Sequence, residues 1–294
     1  MAGTVRSLVD GVPGGTVPVT DRGFAYGDGV FRTVRVERGV PWLLSDHLQT
    51  LARDCGRLGI PFRPGLDRVL AAELAQLVPA ESGILRIVIT RGSGPRGDRP
   101  PEDAHPRRAL LFFPGAPAER SLAGRSIRLC ETRLPRLPAL AGVKHLNRLP
   151  QVLARAEWAA SSLVKAGLED GPEEGLMQDD DDTVVCGTMT NLFLLSGRAL
   201  LTPRIDRAGV AGVMRGRIID GRVALPDGID RVVEARIDLA TLLAASEVFL
   251  TNAVIGLWPV RALAAADGTP LASWPAPGPV TQRIFEHPTF LGGG

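Results

Sequence analysis

Strands frame this chain. The run ILRIVIT, residues 84–90, is apolar almost throughout, and a short apolar run of this kind beside turn residues reads as a buried strand. Gly29–Glu37 reads as another, with Val30, Arg32, Val34 and Val36 alternating against Phe31, Thr33 and Arg35. Turns at Gly27-Asp28-Gly29 and Arg38-Gly39 bound it. Residues 16–19 and 108–113 are expected as further strands. Between them lie two helices. The first has Ser45 as its expected N-cap and Leu48, Leu51, Ala52, Cys55 and Leu58 as its buried stripe; the second covers residues 67–78.

Residues 114–123 are rich in proline and alanine and carry no pattern, which marks a linker. A second unit then opens with a strand over residues 126–131. A helix from Pro150 to Lys165 follows, with Val152, Leu153, Ala156, Leu163 and Val164 inward. Strands are expected at Glu174–Gln178, residues 183–186, residues 191–195 and Glu247–Asn252. Asp179 to Asp182 read as a solvated turn, not a metal site. Gly209-Val210-Ala211-Gly212 leads into a helix from Val213. This order predicts two α+β domains, residues 1–114 and 126–294 joined by a linker over 115–125, with ligands bound between them.

The net charge of +2, with both signs scattered, gives no footprint for nucleic acid or an anionic membrane. No run reaches membrane-spanning length and the first residues lack a secretory h-region, so a cytoplasmic protein is expected. Cys55, Cys130 and Cys186 are too few and too scattered for a disulfide framework or a CxxC metal site. Among the 34 basic side chains only Lys144 and Lys165 are lysine. Arginine is never neutral near pH 7, whereas lysine can serve as an amine nucleophile or a base. A lysine kept in GVKHLNRLPQV, residues 142–152, is therefore the first catalytic candidate.

The segments TDRGFAYGDGVFRTVRV, GVKHLNRLPQVLARAEW, VVCGTMTNLFLL, TPRIDRAGVAGVMR and EVFLTNAVIGLWPVRAL occur in this order along the chain. Together they resemble the fold-type-IV pyridoxal-phosphate enzymes, the family of the branched-chain aminotransferases, D-amino-acid transaminases and 4-amino-4-deoxychorismate lyases. KHLNRL before QVLAR, RGSGPRG and AYGDGVF resemble the lyase branch. The resemblance implies a two-domain α+β architecture with the site in the interdomain cleft, a barrel-like C-terminal domain carrying Lys144, and a homodimer. It implies a lyase that eliminates pyruvate from aminodeoxychorismate to give 4-aminobenzoate for a folate-type pathway.

By the same resemblance Lys144 is the Schiff-base lysine and general base, and Thr33 aids proton delivery. Gly212, Val213 and Met214 hold the cofactor phosphate, as a glycine-flanked helix start favours an anion, and Asn252 is a further cofactor contact. Arg35, Arg91, Arg96 and Tyr26 are substrate-binding candidates, the guanidinium forks matching the two substrate carboxylates. His47 and His145 read as packed or hydrogen-bonded structural residues.

Two positions depart from the family. Its glutamate for the pyridine nitrogen stands five residues before the asparagine of NLF, where this chain has Cys186. Its phosphate-binding arginine follows His-Leu-Gln, where this chain has Thr50, with Arg53 on an adjoining helical face. A charge-assisted contact is worth about 1.5–3 kcal/mol, so pyridoxal phosphate is expected to bind weakly or not at all. Elimination, helped by aromatisation, tolerates a poor electron sink better than transamination does. A cofactor-independent lyase using Lys144 as base on aminodeoxychorismate or chorismate, an aminotransferase, and a non-catalytic homologue remain alternatives.

Overall fold

The computed structural model describes residues 4–159 and 173–291. Contacts divide the chain into two units, Met1–Glu119 with Val143–Asn147, and Arg120–Gly142 with Arg148–Gly294.

The first unit runs β1 (Arg6–Val9), β2 (Val12–Pro13), α1 (Arg22–Tyr26), β3 (Gly29–Glu37), β4 (Val40–Pro41), α2 (Leu44–Arg57), α3 (Leu66–Leu77), β5 (Gly83–Thr90) and β6 (Arg107–Pro114). Its strands form one antiparallel six-stranded sheet in the order β2-β1-β6-β5-β3-β4. Alternation along β3 and β5 separates the two faces. Val30, Val34, Val36, Leu85, Ile87 and Ile89 pack with Leu51, Cys55, Leu70 and Leu74 of α2 and α3 in one core. Phe31, Thr33 and Arg35 take the opposite face, where Thr33 is paired across strands with Arg86.

Two local expectations fail here. Residues 16–19 form no strand and are exposed; the TVPV run meets no sheet, and the first hairpin is instead β1–β2. Ser45 does not cap α2. Leu43, left-handed at φ 53, precedes the helix without a side-chain cap, and Ser45 is exposed within the first turn. The stripe of α2 includes buried Leu51 and Cys55, with Leu48 and Leu58 packed against them, but also two polar residues, His47 and Asp54.

The second unit contains β7 (Arg125–Leu129), α4 (Leu149–Ala159), β8 (Glu174–Gln178), β9 (Val184–Gly187), β10 (Asn191–Ser196), β11 (Ala199–Pro203), α5 (Val213–Ile219), β12 (Arg231–Ala235), α6 (Leu239–Leu243), β13 (Glu247–Asn252), β14 (Gly256–Ala264), β15 (Pro270–Ser273), α7 (Pro279–Phe285) and α8 (Pro288–Leu291). Its nine-stranded mixed sheet follows β12-β11-β10-β13-β14-β7-β8-β9, with β15 beside β14. Ile127, Leu176, Leu192, Leu194, Val248, Leu250 and Trp258 build its core.

On α4 the expected inward face is wrong. Val152 (58%) and Leu153 (59%) are exposed, and the buried positions are Gln151 and Ala154. Ala156 is exposed too, while Leu163, Val164 and Lys165 lie outside the described residues. The four aspartates form a turn as expected. Asp179 accepts backbone N–H bonds from Asp181 (3.0 Å) and Thr183 (3.1 Å), and Arg136, Arg207 and Arg236 pair with Asp181. No group of metal-ligating side chains occurs among the described residues, and none of their helices is long and apolar enough to cross a membrane.

Sequence order places Lys144 in the second domain, but its segment is built into the first unit. Val143 is fully buried in the first core. Phe31 N–H donates to the Lys144 carbonyl (2.9 Å), Leu146 N–H donates to the Gly29 carbonyl (3.0 Å), and His145 bridges Val30. The segment thus lies as a short edge against the start of β3, satisfying backbone groups that β4, paired only at the far end of β3, leaves open.

Candidate active site

Lys144 is clamped by its own backbone. Besides the bond from Phe31, its N–H donates to Asp54 Oδ2 at 2.9 Å. Asp54 is fully buried and ion-paired with Arg32, which is 2% exposed; Arg53 reaches its other oxygen at 3.0 Å from a half-exposed position. The clamp fixes where the side chain starts. It ends with Nζ 4.7 Å from the centre of the Phe31 ring, where a cation meets the negative face of the aromatic system. The Arg86 guanidinium lies against the same ring at 4.4 Å.

Arg86 is a residue that sequence reasoning missed. It is half-buried, and burial lowers its pKa from the usual arginine value. Among the described residues it has no carboxylate partner. The sequence does hold a signal for it: an arginine in the middle of ILRIVIT has to face away from the core, onto the side shared with Phe31 and Thr33. Thr33 itself is half-buried, and its hydroxyl makes no hydrogen bond among the described residues.

The four substrate-binding candidates divide sharply. Arg91 is saturated: it grips Asp28 at 2.7 and 3.0 Å and donates to the carbonyls of Gly59 and Leu58, both at 2.7 Å. Asp28 also takes Arg22 Nε at 2.9 Å. Burial works to raise the Asp28 pKa, but the bonds and charges of Arg91 and Arg22 prevail and hold it below the ordinary value. Arg22 in turn ties down the carbonyls of Gly97 (3.0 Å) and Asp98 (2.9 Å). The TDRGFAYGDG and RGSGPRGD stretches are thereby one interlocked scaffold. Arg35, 6% exposed, is bound to Glu37 and to the Ala118 carbonyl, each at 2.6 Å. Tyr26 accepts from Gly97 N–H at 3.1 Å and is 40% exposed. Arg96 alone of the four stands exposed and untied to this scaffold among the described residues.

On the core side of β3, α2 carries the other departures. Thr50 turns its hydroxyl to the Asp46 carbonyl at 2.7 Å, as helical threonines do. Its own carbonyl accepts from Arg32 Nη2 at 3.3 Å, so a guanidinium does stand beside position 50, supplied by β3. His47 is 2% exposed with neither ring nitrogen hydrogen-bonded among the described residues. Burial first, then the positive charges of Arg32 and Lys144, push its pKa down to about 3, so the ring is neutral.

In the second unit, Cys186 is buried (5%) among Cys130, Leu134, Met177, Val185 and Ala208 and forms no disulfide. Burial, followed by the charges of Glu157 and Glu174, raises the neighbouring Cys130 thiol to about 12. The nearest conspicuous carboxylate on the pairing strand, Glu174, is fully buried and committed. It accepts from Thr188, from Thr190 Oγ1 (3.0 Å) and from the N–H groups of Thr188 (3.1 Å) and Met189 (3.2 Å), so it organises the turn between β9 and β10. The GVAGVM turn is fixed by Asn191, whose amide donates to the Val210 carbonyl at 2.8 Å. A side chain on Gly212 would collide with Asn191 Oδ1, which explains glycine there. Val213 and Met214 start α5 with no side-chain cap on their N–H groups. Asn252 is occupied in closing its own turn, accepting from Val254 (2.8 Å) and Ile255 (2.9 Å).

The amino-transferase class IV family model matches residues 29–263. The chain belongs to this family. An aminodeoxychorismate lyase of Vibrio harveyi is 34% identical over 261 residues, 88% of this chain and 92% of its own. The crystal structure of 4-amino-4-deoxychorismate lyase from Pseudomonas aeruginosa superposes with a TM-score of 0.80 at 41% identity, covering 95% of this chain and 96% of that one. The branched-chain aminotransferase of Escherichia coli shares the fold, with a TM-score of 0.74 at 22% identity over 96% of this chain and 92% of its own. The family is one of pyridoxal-phosphate-dependent enzymes.

Pyridoxal phosphate needs an amine for its aldehyde, donors for its phosphate and a partner for its ring nitrogen. Lys144 and the unpartnered donors of Arg32 fit the first two needs. For the third, the position that the family likeness assigns to a carboxylate holds Cys186 in this chain. The first unit's residues thus fit the group, and the sequence departs from the family at the ring-nitrogen position.

Proposed function

We propose that this chain is an aminodeoxychorismate lyase with Lys144 as its base. The observation that carries the reading is the placement of Lys144, its backbone held between Phe31 and Asp54 and its amine on the Phe31 ring beside Arg86. The likeness to lyases in Vibrio harveyi and Pseudomonas aeruginosa supports it.

Bound pyridoxal phosphate supplies a carbonyl for the substrate amine and an electron-withdrawing ring. Lys144 holds it, with Gly212, Val213, Met214 and Asn252 as the further contacts that the family likeness assigns. Everything else is work for this chain's side chains. Lys144 takes the proton from C4 of the substrate ring; the C4–H electron pair moves into the ring and the C3–O bond breaks. The enolpyruvyl oxygen leaves, is protonated and tautomerises to pyruvate, while the ring becomes 4-aminobenzoate. The Thr33 hydroxyl, without a partner among the described residues, delivers the proton to the departing enolpyruvate. Arg86 and Arg96 receive the carboxylates, since Arg35 and Arg91 are occupied. With cysteine at position 186 in place of the family's glutamate, the ring nitrogen would have no carboxylate partner there. That disfavours transamination but spares an elimination driven by aromatisation.

The reading includes a homodimer in the cytoplasm. Exposed Leu149 (72%), Val152 and Leu153 on α4 are apolar surface that self-association would cover, and sedimentation at several concentrations tests it. The reading itself is tested by offering aminodeoxychorismate, chorismate, or an amino donor with a keto acid to the dialysed protein, each with and without pyridoxal phosphate. It requires 4-aminobenzoate from the first alone. Turnover of either aminodeoxychorismate or chorismate that is indifferent to the cofactor would instead support a cofactor-independent lyase, the reading that the buried thiol at Cys186 favours.

A further inference from the structure

The polar groups on the core side of β3, behind Lys144, are not all paired. Arg32, on β3, gives only Nη2 to partners among the described residues, the Asp54 carboxylate and the Thr50 carbonyl. Its Nε is buried with no partner there. His47, one turn before Thr50 on α2, has both ring nitrogens buried and unpartnered. A buried donor left without an acceptor is costly, and such groups in native proteins call for an explanation. The charges that His47 senses are Arg32, Asp46 and Lys144, and the two cations outweigh the one acid in holding the ring neutral. Asp54 is already shared among Arg32, Arg53 and the Lys144 N–H. The unused donor of Arg32 and the unpartnered ring of His47, both buried, describe a site that lacks its anion.

We propose that Arg32, assisted by His47, is the phosphate-monoester anchor of this chain, a guanidinium supplied from β3 in place of the arginine absent at Thr50. The inference rests on the lyase reading for the identity of the ligand, pyridoxal phosphate, but not for the existence of the anion site. Arg53, the replacement that helical spacing suggests, is excluded from the role: its Nε and Nη2 are both turned to its neighbour Asp54, and it is half-exposed. On this account the phosphate contact has moved, not vanished, and the chain has lost one cofactor contact, at Cys186, and kept the other in a new place.

The test compares pyridoxal phosphate, pyridoxal and inorganic phosphate on the intact protein. The native chain should bind pyridoxal phosphate about ten- to a hundredfold more tightly than pyridoxal, the ratio expected of one charge-assisted contact. Arg32→Lys, which keeps the charge and loses the fork, should collapse that ratio, and Arg53→Met should leave it unchanged. Arg32→Met strands Asp54, so its effect is read in the pair Arg32→Met with Asp54→Asn, against Asp54→Asn alone. One readout needs no variant: inorganic phosphate or pyridoxal phosphate should raise the His47 titration, followed by ring-proton resonance, by about a unit or more. A His47 titration that neither phosphate ligand moves, or a ratio that falls with Arg53→Met and not with Arg32→Lys, overturns the proposal. If the His47 shift occurs and depends on Arg32 while aminodeoxychorismate is not turned over, the lyase reading fails and the anchor stands. Turnover with an unmoved His47 removes the anchor and leaves the lyase reading in place.

Discussion

Replacing Asp54 by alanine should unhinge Lys144. Asp54 is fully buried and does two things at once: it neutralises Arg32, itself 2% exposed, and it accepts the Lys144 N–H at 2.9 Å. Removing one partner of a buried ion pair costs about 3–5 kcal/mol because the other charge is left in low dielectric. An orphaned buried N–H adds about 1–3 kcal/mol. The terms overlap at one site, so a total of about 4 kcal/mol or somewhat more is expected. The half-exposed Arg53 contact contributes little to this sum. Arg32→Met with Asp54→Ala removes the stranded cation, and only the N–H and packing losses remain, about 1–3 kcal/mol. The double variant should therefore be more stable than the single one, by roughly 3 kcal/mol in urea midpoints read at constant m. Amide exchange at Lys144 should quicken in both variants, because both lack its acceptor. A double variant no more stable than Asp54→Ala, or an Asp54→Ala cost under about 1 kcal/mol, would refute the buried-pair argument.

Three more outcomes follow from the same geometry. The folded His47 titrates at about 3, well below its unfolded value, so the unfolded chain binds the extra proton and stability falls as pH drops through the window between them. At pH 5 this amounts to about 2 kcal/mol relative to pH 7; His47→Leu should lose that part of the pH slope in paired urea titrations, and an unaltered slope would contradict a neutral buried ring. Arg91→Met should cost about 3 kcal/mol of stability by leaving Asp28 with Arg22 alone and the Gly59 and Leu58 carbonyls without their donor, whereas Arg86→Met should leave stability nearly intact and raise KM for aminodeoxychorismate; the converse pattern would return the carboxylate clamp to Arg91. Cys186→Glu should tighten pyridoxal phosphate binding about tenfold or more in equilibrium dialysis, and unchanged or weaker binding would show that position 186 does not meet the ring nitrogen.

What could be read from the sequence was local. β3, β8 and β13 fall at Gly29–Glu37, Glu174–Gln178 and Glu247–Asn252 as expected, since short stretches with apolar centres bounded by polar or turn residues are readable as strands. Residues 16–19 misled because β-branched residues at alternate positions promise a strand only if a partner edge exists. The α4 face misled because apolar spacing cannot say which neighbour covers it. Lys144 stood out by composition alone, yet the residue that holds it, Asp54, is 90 positions away and had no local mark. Arg35, Arg91 and Arg96 look equivalent as letters; only the fold shows Arg35 and Arg91 spent on Glu37 and Asp28. The absences at Thr50 and Cys186 were legible, but the guanidinium of Arg32 beside the Thr50 carbonyl was not, because it arrives from another element.

The central claim is that the Lys144 amine does the chemistry, and one assay meets it directly. Pyruvate and 4-aminobenzoate are measured together from aminodeoxychorismate, in the presence of pyridoxal phosphate, for the native chain and for Lys144→Ala of verified fold. Because the lysine backbone, not its side chain, bonds Phe31 and Asp54, alanine leaves the clamp in place and the variant should fold normally. The account predicts equal amounts of both products from the native chain and none above background from the variant. Near-native product formation by Lys144→Ala would contradict it.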